Sequence, residues 1–183
     1  VHISYYMRTY EENTLYDVGE LKYATNASGS WVIRTVDSDD DMVGKYSAIA
    51  TDASDSIHIS YYSLDYDRYS SSYAETGDLK YATNASGTWQ TETVDNYDDA
   101  GKYSAIALDG SDNVHISYYS RIRDSFYRYN GELRYATNAS GSWSAETVDS
   151  RGNPGQYSAI ALDNSGTVYI SYYEADNQDL RYI

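Results

Sequence analysis

One hexapeptide recurs four times along 183 residues. Val1-His2-Ile3-Ser4-Tyr5-Tyr6 returns as Ile57 to Tyr62, Val114 to Tyr119 and Val168 to Tyr173, at spacings of 56, 57 and 54 residues. A second block, Tyr23 to Trp31, returns unchanged as Tyr135 to Trp143, and as Tyr81 to Trp89 with Thr88 in place of one Ser. A chain that repeats at this period folds as a row of like units, each burying one face against its neighbour.

The repeat also shows what each unit contains. In the hexapeptide, Val, Ile and the first Tyr alternate with His, Ser and the second Tyr, which is the rhythm of a strand with two different faces. Three more strands are expected per unit: Leu21 to Thr25, Trp31 to Val36 and Tyr46 to Thr51. Their copies start at Leu79, Trp89 and Tyr103, and again at Leu133, Trp143 and Tyr157. The Tyr46-type strand is small-residued and apolar on both faces, which suits a crowded inner edge. The Asn-Ala-Ser-Gly run before each Trp reads as a tight hairpin turn, with Gly29, Gly87 and Gly141 supplying the positive φ. Asn130-Gly131 reads as another hairpin turn, and Pro154 is expected in a loop. No stretch shows helical periodicity.

The expectation is therefore all-β. It has tandem four-stranded antiparallel units, about three and a half repeats of 54–57 residues, in a single domain 1–183. The repeat windows are 1–56, 57–113, 114–167 and a partial 168–183. With the Tyr46-type strand innermost, the first unit lacks an inner strand and the last lacks a Trp strand. Both ends then leave open sheet edges. Two related open ends favour head-to-tail assembly by strand addition between termini, which gives filaments when the rotation does not close.

Composition narrows the partners. A formal net charge of -15 excludes nucleic acid as an electrostatic partner and disfavours anionic membrane surfaces. No apolar run approaches the roughly 20 residues of a membrane span, so no membrane insertion is expected. With no Cys there is no disulfide framework and no thiolate metal site. The 24 Tyr, against 3 Trp and 1 Phe, suit half-wet packing surfaces. The start at Val1 reads as a mature form or a fragment.

Four antiparallel strands in about 50 residues is the size of a β-propeller blade. The Asn-Ala-Ser-Gly-x-Trp hairpin resembles the Asp-box, or BNR, repeat of sialidase-like propellers, and the resemblance covers each repeat. Here Gly29 stands two residues before Trp31 rather than three, and Asn26 and Ala27 lie where the Asp-box Asp would be. The resemblance implies tandem propeller-like blades. If it extended to activity, an arginine cluster and a Tyr nucleophile with a Glu base would be expected. Arg8, Arg34 and Arg68 occupy non-equivalent repeat positions, so no catalytic residue is carried over.

Near-identical units do not bring several different groups together once, so no enzyme and no cofactor are expected. His2, His58 and His115 share one repeat position and read as strand histidines bonding between units, not metal ligands. Asp37, Asp95 and Asp149, and likewise Asp52, Asp109 and Asp163, read as turn caps. The run Asp37 to Asp41 is the one stretch suited to a hard cation such as calcium, with Asp39 to Asp41 its centre. Recognition is expected in the divergent connections, which carry Tyr10, Tyr16, Tyr66, Tyr69, Tyr73, Phe126, Tyr127 and Tyr129. Asn26, Asn84 and Asn138 each open an Asn-Ala-Ser acceptor for a covalent N-glycan. Together these features point to a non-catalytic, secreted, glycosylated protein that joins to itself in an extracellular filament or cell-surface coat. The alternative is a carbohydrate-binding propeller lectin, and a weaker third is a fragment of a glycoside-processing enzyme.

Overall fold

The computed structural model describes residues 1–10, 17–38, 42–65, 76–123 and 129–183. The protein is all-β, with fourteen strands and no helix among the described residues. The strands form several sheets, none of them closed into a barrel.

Four consecutive meanders make up the chain. The first is β1 (His2–Tyr10), β2 (Asp17–Thr25) and β3 (Val32–Asp37). The second is β4 (Met42–Thr51), β5 (Ile57–Asp65), β6 (Thr76–Thr83) and β7 (Gln90–Asp95). The third is β8 (Asp99–Leu108), β9 (Val114–Arg123), β10 (Tyr129–Thr137) and β11 (Ser144–Asp149). The fourth is β12 (Pro154–Leu162), β13 (Val168–Glu174) and β14 (Asp179–Tyr182). Neighbouring strands within each meander pair antiparallel. One parallel pair, Gly19 opposite Met42, joins the first two meanders into a seven-stranded sheet. The Tyr46-type strand opens each four-stranded meander, so these two meanders span 42–95 and 99–149.

Some local expectations change. Asn130-Gly131 is not a turn; it lies inside β10, opposite Ile122 and Arg121. The glycine is there because the Tyr119 ring lies on it: a Cβ at Gly131 would sit 2.2 Å from Tyr119 Cε2. Gly19 lies under Tyr6 and Gly77 under Tyr62 in the same way. Pro154 is not in a loop but opens β12, a strand position that tolerates a missing N–H. Each Trp precedes its strand by one residue instead of starting it.

The inner strands β4, β8 and β12 are bulged twice, and both bulges have left-handed residues. At the first, Gly44, Gly101 and Gly155 have φ of 101°, 104° and 107°. A Cβ there would fall 2.7, 2.7 and 2.8 Å from the Cα of Leu21, Leu79 and Leu133 of the preceding meander. At the second, Tyr46, Tyr103 and Tyr157 have φ of 52°, 53° and 53°. For a bulky side chain this is a strained conformation.

The core lies between meanders. Leu21 and Tyr23 of the first pack against Val43, Ile57, Ile59 and Tyr61 of the second. Leu79 and Tyr81 pack against Ala100, Val114, Ile116 and Tyr118 of the third, and Leu133 against Ile170 and Tyr172 of the fourth. Each meander thus has an incoming face, carrying the Val, Ile and first Tyr of the hexapeptide. Its outgoing face carries His, Ser and the second Tyr with the Leu-x-Tyr of the next strand. Full burial of one such aliphatic side chain contributes about 1.5–3 kcal/mol, so these seams hold the row together.

Candidate functional site

The seams between meanders are where the repeated polar side chains gather. Within a seam, Tyr61 donates its hydroxyl to Asp37 Oδ2 at 2.5 Å, Tyr118 to Asp95 at 2.5 Å and Tyr172 to Asp149 at 2.9 Å. A cation from the same later meander joins each carboxylate. Lys80 Nζ lies 3.3 Å from Asp37, Arg134 Nε 3.1 Å from Asp95 and an Arg181 nitrogen 3.8 Å from Asp149. Asp95 and Asp149 also cap turns, accepting from the Tyr97 and Arg151 amides. Burial, with Asp95 beside it, pushes the Tyr118 phenol well above its ordinary pKa. All three carboxylates are therefore seam acceptors, and Asp95 and Asp149 are caps as well, which their turn sequence does not reveal.

Nearer the inner edge, serines bridge consecutive meanders: Ser4 to Ser47 at 3.0 Å, Ser60 to Ser104 at 3.0 Å and Ser117 to Ser158 at 2.9 Å. Beside them the left-handed tyrosines form a column. The Tyr46 and Tyr103 ring centroids are 4.7 Å apart, and those of Tyr103 and Tyr157 are 4.5 Å apart. Burial, followed by the neighbouring Tyr46 and Tyr157 phenols, raises the Tyr103 pKa. Sequence reasoning missed this column. The recurring Gly-x-Tyr before Ser-Ala-Ile-Ala was its signal.

The histidines bond within their own meander, although Asp52 and Asp109 belong to the preceding repeat window. His58 Nδ1 lies 2.5 Å from the Tyr81 hydroxyl and His58 Nε2 lies 3.3 Å from Asp52, all in one meander. His115 repeats this with Tyr135 at 2.6 Å and Asp109 at 3.5 Å, and His2 with Tyr23 at 2.6 Å. The reason is the register: His58 faces Thr83, so Tyr81 is its diagonal neighbour on one sheet face. A carboxylate only accepts, so Nε2 of His58 and His115 is the donor to the aspartate; in a neutral imidazole Nδ1 then accepts from the tyrosine. Burial raises the Tyr81 pKa to about 12, which is the wrong direction for a nucleophile at neutral pH.

Asp52, Asp109 and Asp163 cap their turns as expected, each accepting two or more amides or side chains. The Asn113 side chain holds Asp109 down to about 2, and Ser165 does the same for Asp163. Asp39 to Asp41, the calcium candidate, lie outside the described residues. Asp99 of the second repeat is buried against the Tyr62 hydroxyl at 2.6 Å, Lys102 at 2.6 Å and Arg121 at 2.8 Å. Among the described residues, no three His, Cys, Asp or Glu side chains gather as a metal group would need. The Tyr10 side chain, Tyr16, Tyr66, Arg68, Tyr69, Tyr73, Phe126 and Tyr127 also lie outside the described residues. Tyr129 lies under the Arg121 guanidinium, at 4.5 Å.

The sequon asparagines stand at the start of their turns, half-buried, with the exposed tip one to four residues on. Asn84 Oδ1 accepts the Ile57 amide at 2.7 Å, Asn138 the Val114 amide at 2.8 Å and Asn26 the Val1 amine at 3.0 Å. Each thereby latches the Trp hairpin to the start of its hexapeptide strand. After the turn, Trp89 packs edge-on against Tyr23 of the preceding meander at 5.4 Å, and Trp143 against Tyr81 at 5.3 Å. A groove of about 460 Å³ runs beside the first pair, lined by Tyr23, Arg34, Asn84 and Trp89.

At the two ends the same repeat positions lie open. Ile59 and Ile116 are fully buried, whereas Ile3 is 42% exposed. Trp89 and Trp143 are half-buried, whereas Trp31 is 55% exposed. Leu21, Leu79 and Leu133 are fully buried, whereas Leu180 is 82% exposed and Tyr182 is 85% exposed.

No protein-family model matches the chain. No curated protein matches it either. Among solved structures it is similar to the crystal structure of a protein of unknown function from Dyadobacter fermentans, at 11% identity and a TM-score of 0.64. The match covers 94% of this chain and 58% of that one, and at this identity it shows the fold alone.

Proposed function

We propose that this chain is a non-catalytic, secreted repeat protein whose copies join head to tail in an extracellular filament or cell-surface coat. Its meanders would be propeller-like blades in an open row. One observation supports the reading: every described seam joins a Leu-bearing outgoing face to an incoming face of the same repeated kind, so each meander carries a face and its complement. Such a pair on two molecules makes a heterologous contact, which propagates unless the rotation closes it.

Covalent N-glycans on Asn26, Asn84 and Asn138 belong to this reading. Attachment is at the amide nitrogen, so the carbonyl that latches each hexapeptide strand would stay in place. Electron microscopy and size-exclusion chromatography of native material test the assembly. Long fibres are expected, and a monodisperse monomer would overturn it. Intact mass tests the glycans: masses above the bare polypeptide are expected.

A second reading is the carbohydrate-binding lectin, favoured by the aromatic groove at Tyr23, Arg34, Asn84 and Trp89. Binding to a glycan array by a stable monomer, lost on Trp89→Ala, would favour it over the filament.

A further inference from the structure

Tyr46, Tyr103 and Tyr157 share one left-handed backbone on consecutive inner strands, and their rings follow one another in a file. The seams fix the spacing of that file. Ser104 donates to the Tyr46 carbonyl at 2.9 Å, and Ser158 to the Tyr103 carbonyl at 3.1 Å. Each inner strand is thus tied to the one before it at the tyrosine itself. The ring centroids stand 4.7 and 4.5 Å apart, with planes tilted by 53° and 50°. The phenol oxygens lie to one side of the file, since both neighbours act on the Tyr103 hydroxyl. Tyr103 keeps part of its surface in solvent although it has a ring on either side, so the column is open along its flank.

Other tyrosines of the seams are placed differently. Tyr61, Tyr118 and Tyr172 give their hydroxyl protons to carboxylates, and Tyr81 and Tyr135 pair with histidines. Tyr62 and Tyr119 meet Tyr46 and Tyr103 edge-on and farther off, at 5.9 and 6.1 Å.

We propose that the column is an oxidative cross-linking site, at which Tyr103 becomes bonded to Tyr157 or to Tyr46 as dityrosine. The co-reactant is hydrogen peroxide activated by a haem peroxidase, which removes electrons one at a time. Each of two adjacent phenols gives up one electron and, to water, its hydroxyl proton. The two phenoxyl radicals couple through a new C–C bond between ring carbons ortho to oxygen. Each of those carbons then releases its hydrogen as a proton while its oxygen takes one up, and both rings are phenols again. The pair loses two electrons and two protons in all, and one hydrogen peroxide takes them up to leave two waters. Holding the rings in contact makes the coupling unimolecular, which favours it over encounters between chains. The bond lies between β8 and β12, or between β4 and β8, and staples consecutive meanders in a chain that has no cysteine. It forms within one chain, so it stands apart from the assembly reading.

The test treats the full chain, dilute enough to suppress bonds between copies, with hydrogen peroxide and a haem peroxidase. Dityrosine fluorescence is expected in the monomer band of a denaturing gel. Proteolytic mapping is expected to find peptides joined through Tyr103 and either Tyr157 or Tyr46, lighter than their sum by two hydrogens. A chain closed into a loop over residues 103–157 should also run ahead of the unlinked chain. Tyr103→Phe keeps a ring in the column, so its melting temperature before oxidation should match the wild type. It should lose most of the fluorescence, because both pairs use Tyr103. Tyr129→Phe, at an exposed tyrosine outside the column, should keep it. Fluorescence that survives Tyr103→Phe, joined peptides that leave Tyr103 out, or dityrosine confined to dimers would each overturn the assignment. So would a wild-type chain that yields no dityrosine.

Discussion

Tyr46, Tyr103 and Tyr157 each hold a left-handed backbone that glycine would occupy without strain. The strain is about 1–3 kcal/mol per residue. Ring packing at 4.5–4.7 Å, worth about 0.5–1.5 kcal/mol per pair beyond burial, offsets part of it. Replacing Tyr103 separates the two. Tyr103→Ala loses the ring and keeps the strain, while Tyr103→Gly loses the ring and relieves it. Urea denaturation should find Tyr103→Gly the more stable by about 1 kcal/mol although it removes one more carbon. Equal stabilities would mean that the backbone is not strained. The alternating faces of the hexapeptide were legible because a strand has period two. This column was not read, since the recurring Gly-x-Tyr marks the position while no residue preference tells that its tyrosine is left-handed.

At the scale of the element, Gly101 and Gly87 both have positive φ but differ in their surroundings. A Cβ at Gly87 meets nothing within 4 Å, so Gly87→Ala should cost about 1 kcal/mol for backbone conformation alone. A Cβ at Gly101 meets the Leu79 backbone at 2.7 Å, so Gly101→Ala should cost roughly twice that or more, since two meanders must move apart. Thermal unfolding of both variants checks the order. Trp89 is half-buried on Tyr23, so Trp89→Ala should cost roughly 1–3 kcal/mol, less than a fully buried Trp. The turn with Gly87 was readable from its own residues. The role of Gly101 was not, because the atom that demands glycine belongs to a strand more than twenty residues earlier.

For the whole molecule, burial raises the pKa of several tyrosines, led by Tyr118 and by Tyr81, which reaches about 12. Tyr119, Tyr135 and Tyr172 shift the same way. A phenol whose pKa rises on folding contributes its stability in full below its ordinary value of 10.0 and loses it as pH climbs towards the folded value. Stability should therefore fall steeply between pH 10 and pH 12, with tyrosinate absorbance appearing together with loss of the circular dichroism of the sheets. Gradual tyrosinate absorbance from pH 10, with the sheets intact, would show the phenols to be freely titrating. Salt should act differently. In the proposed assembly, copies carrying a charge of -15 repel and added salt screens that repulsion, so light scattering from fibres should hold or rise as salt is added. The sequence carried the order of strands within a meander. It did not carry which faces meet across a seam, because that depends on residues of two meanders packing together. The seams also have a genetic consequence. Each meander meets its neighbours through the same glycine, leucine and tyrosine positions, so excising one period of 57 residues, or inserting one, joins surfaces that already fit. Unequal recombination within such a gene changes the number of meanders without breaking the fold, and copy number becomes a quantity that selection can adjust in whole steps.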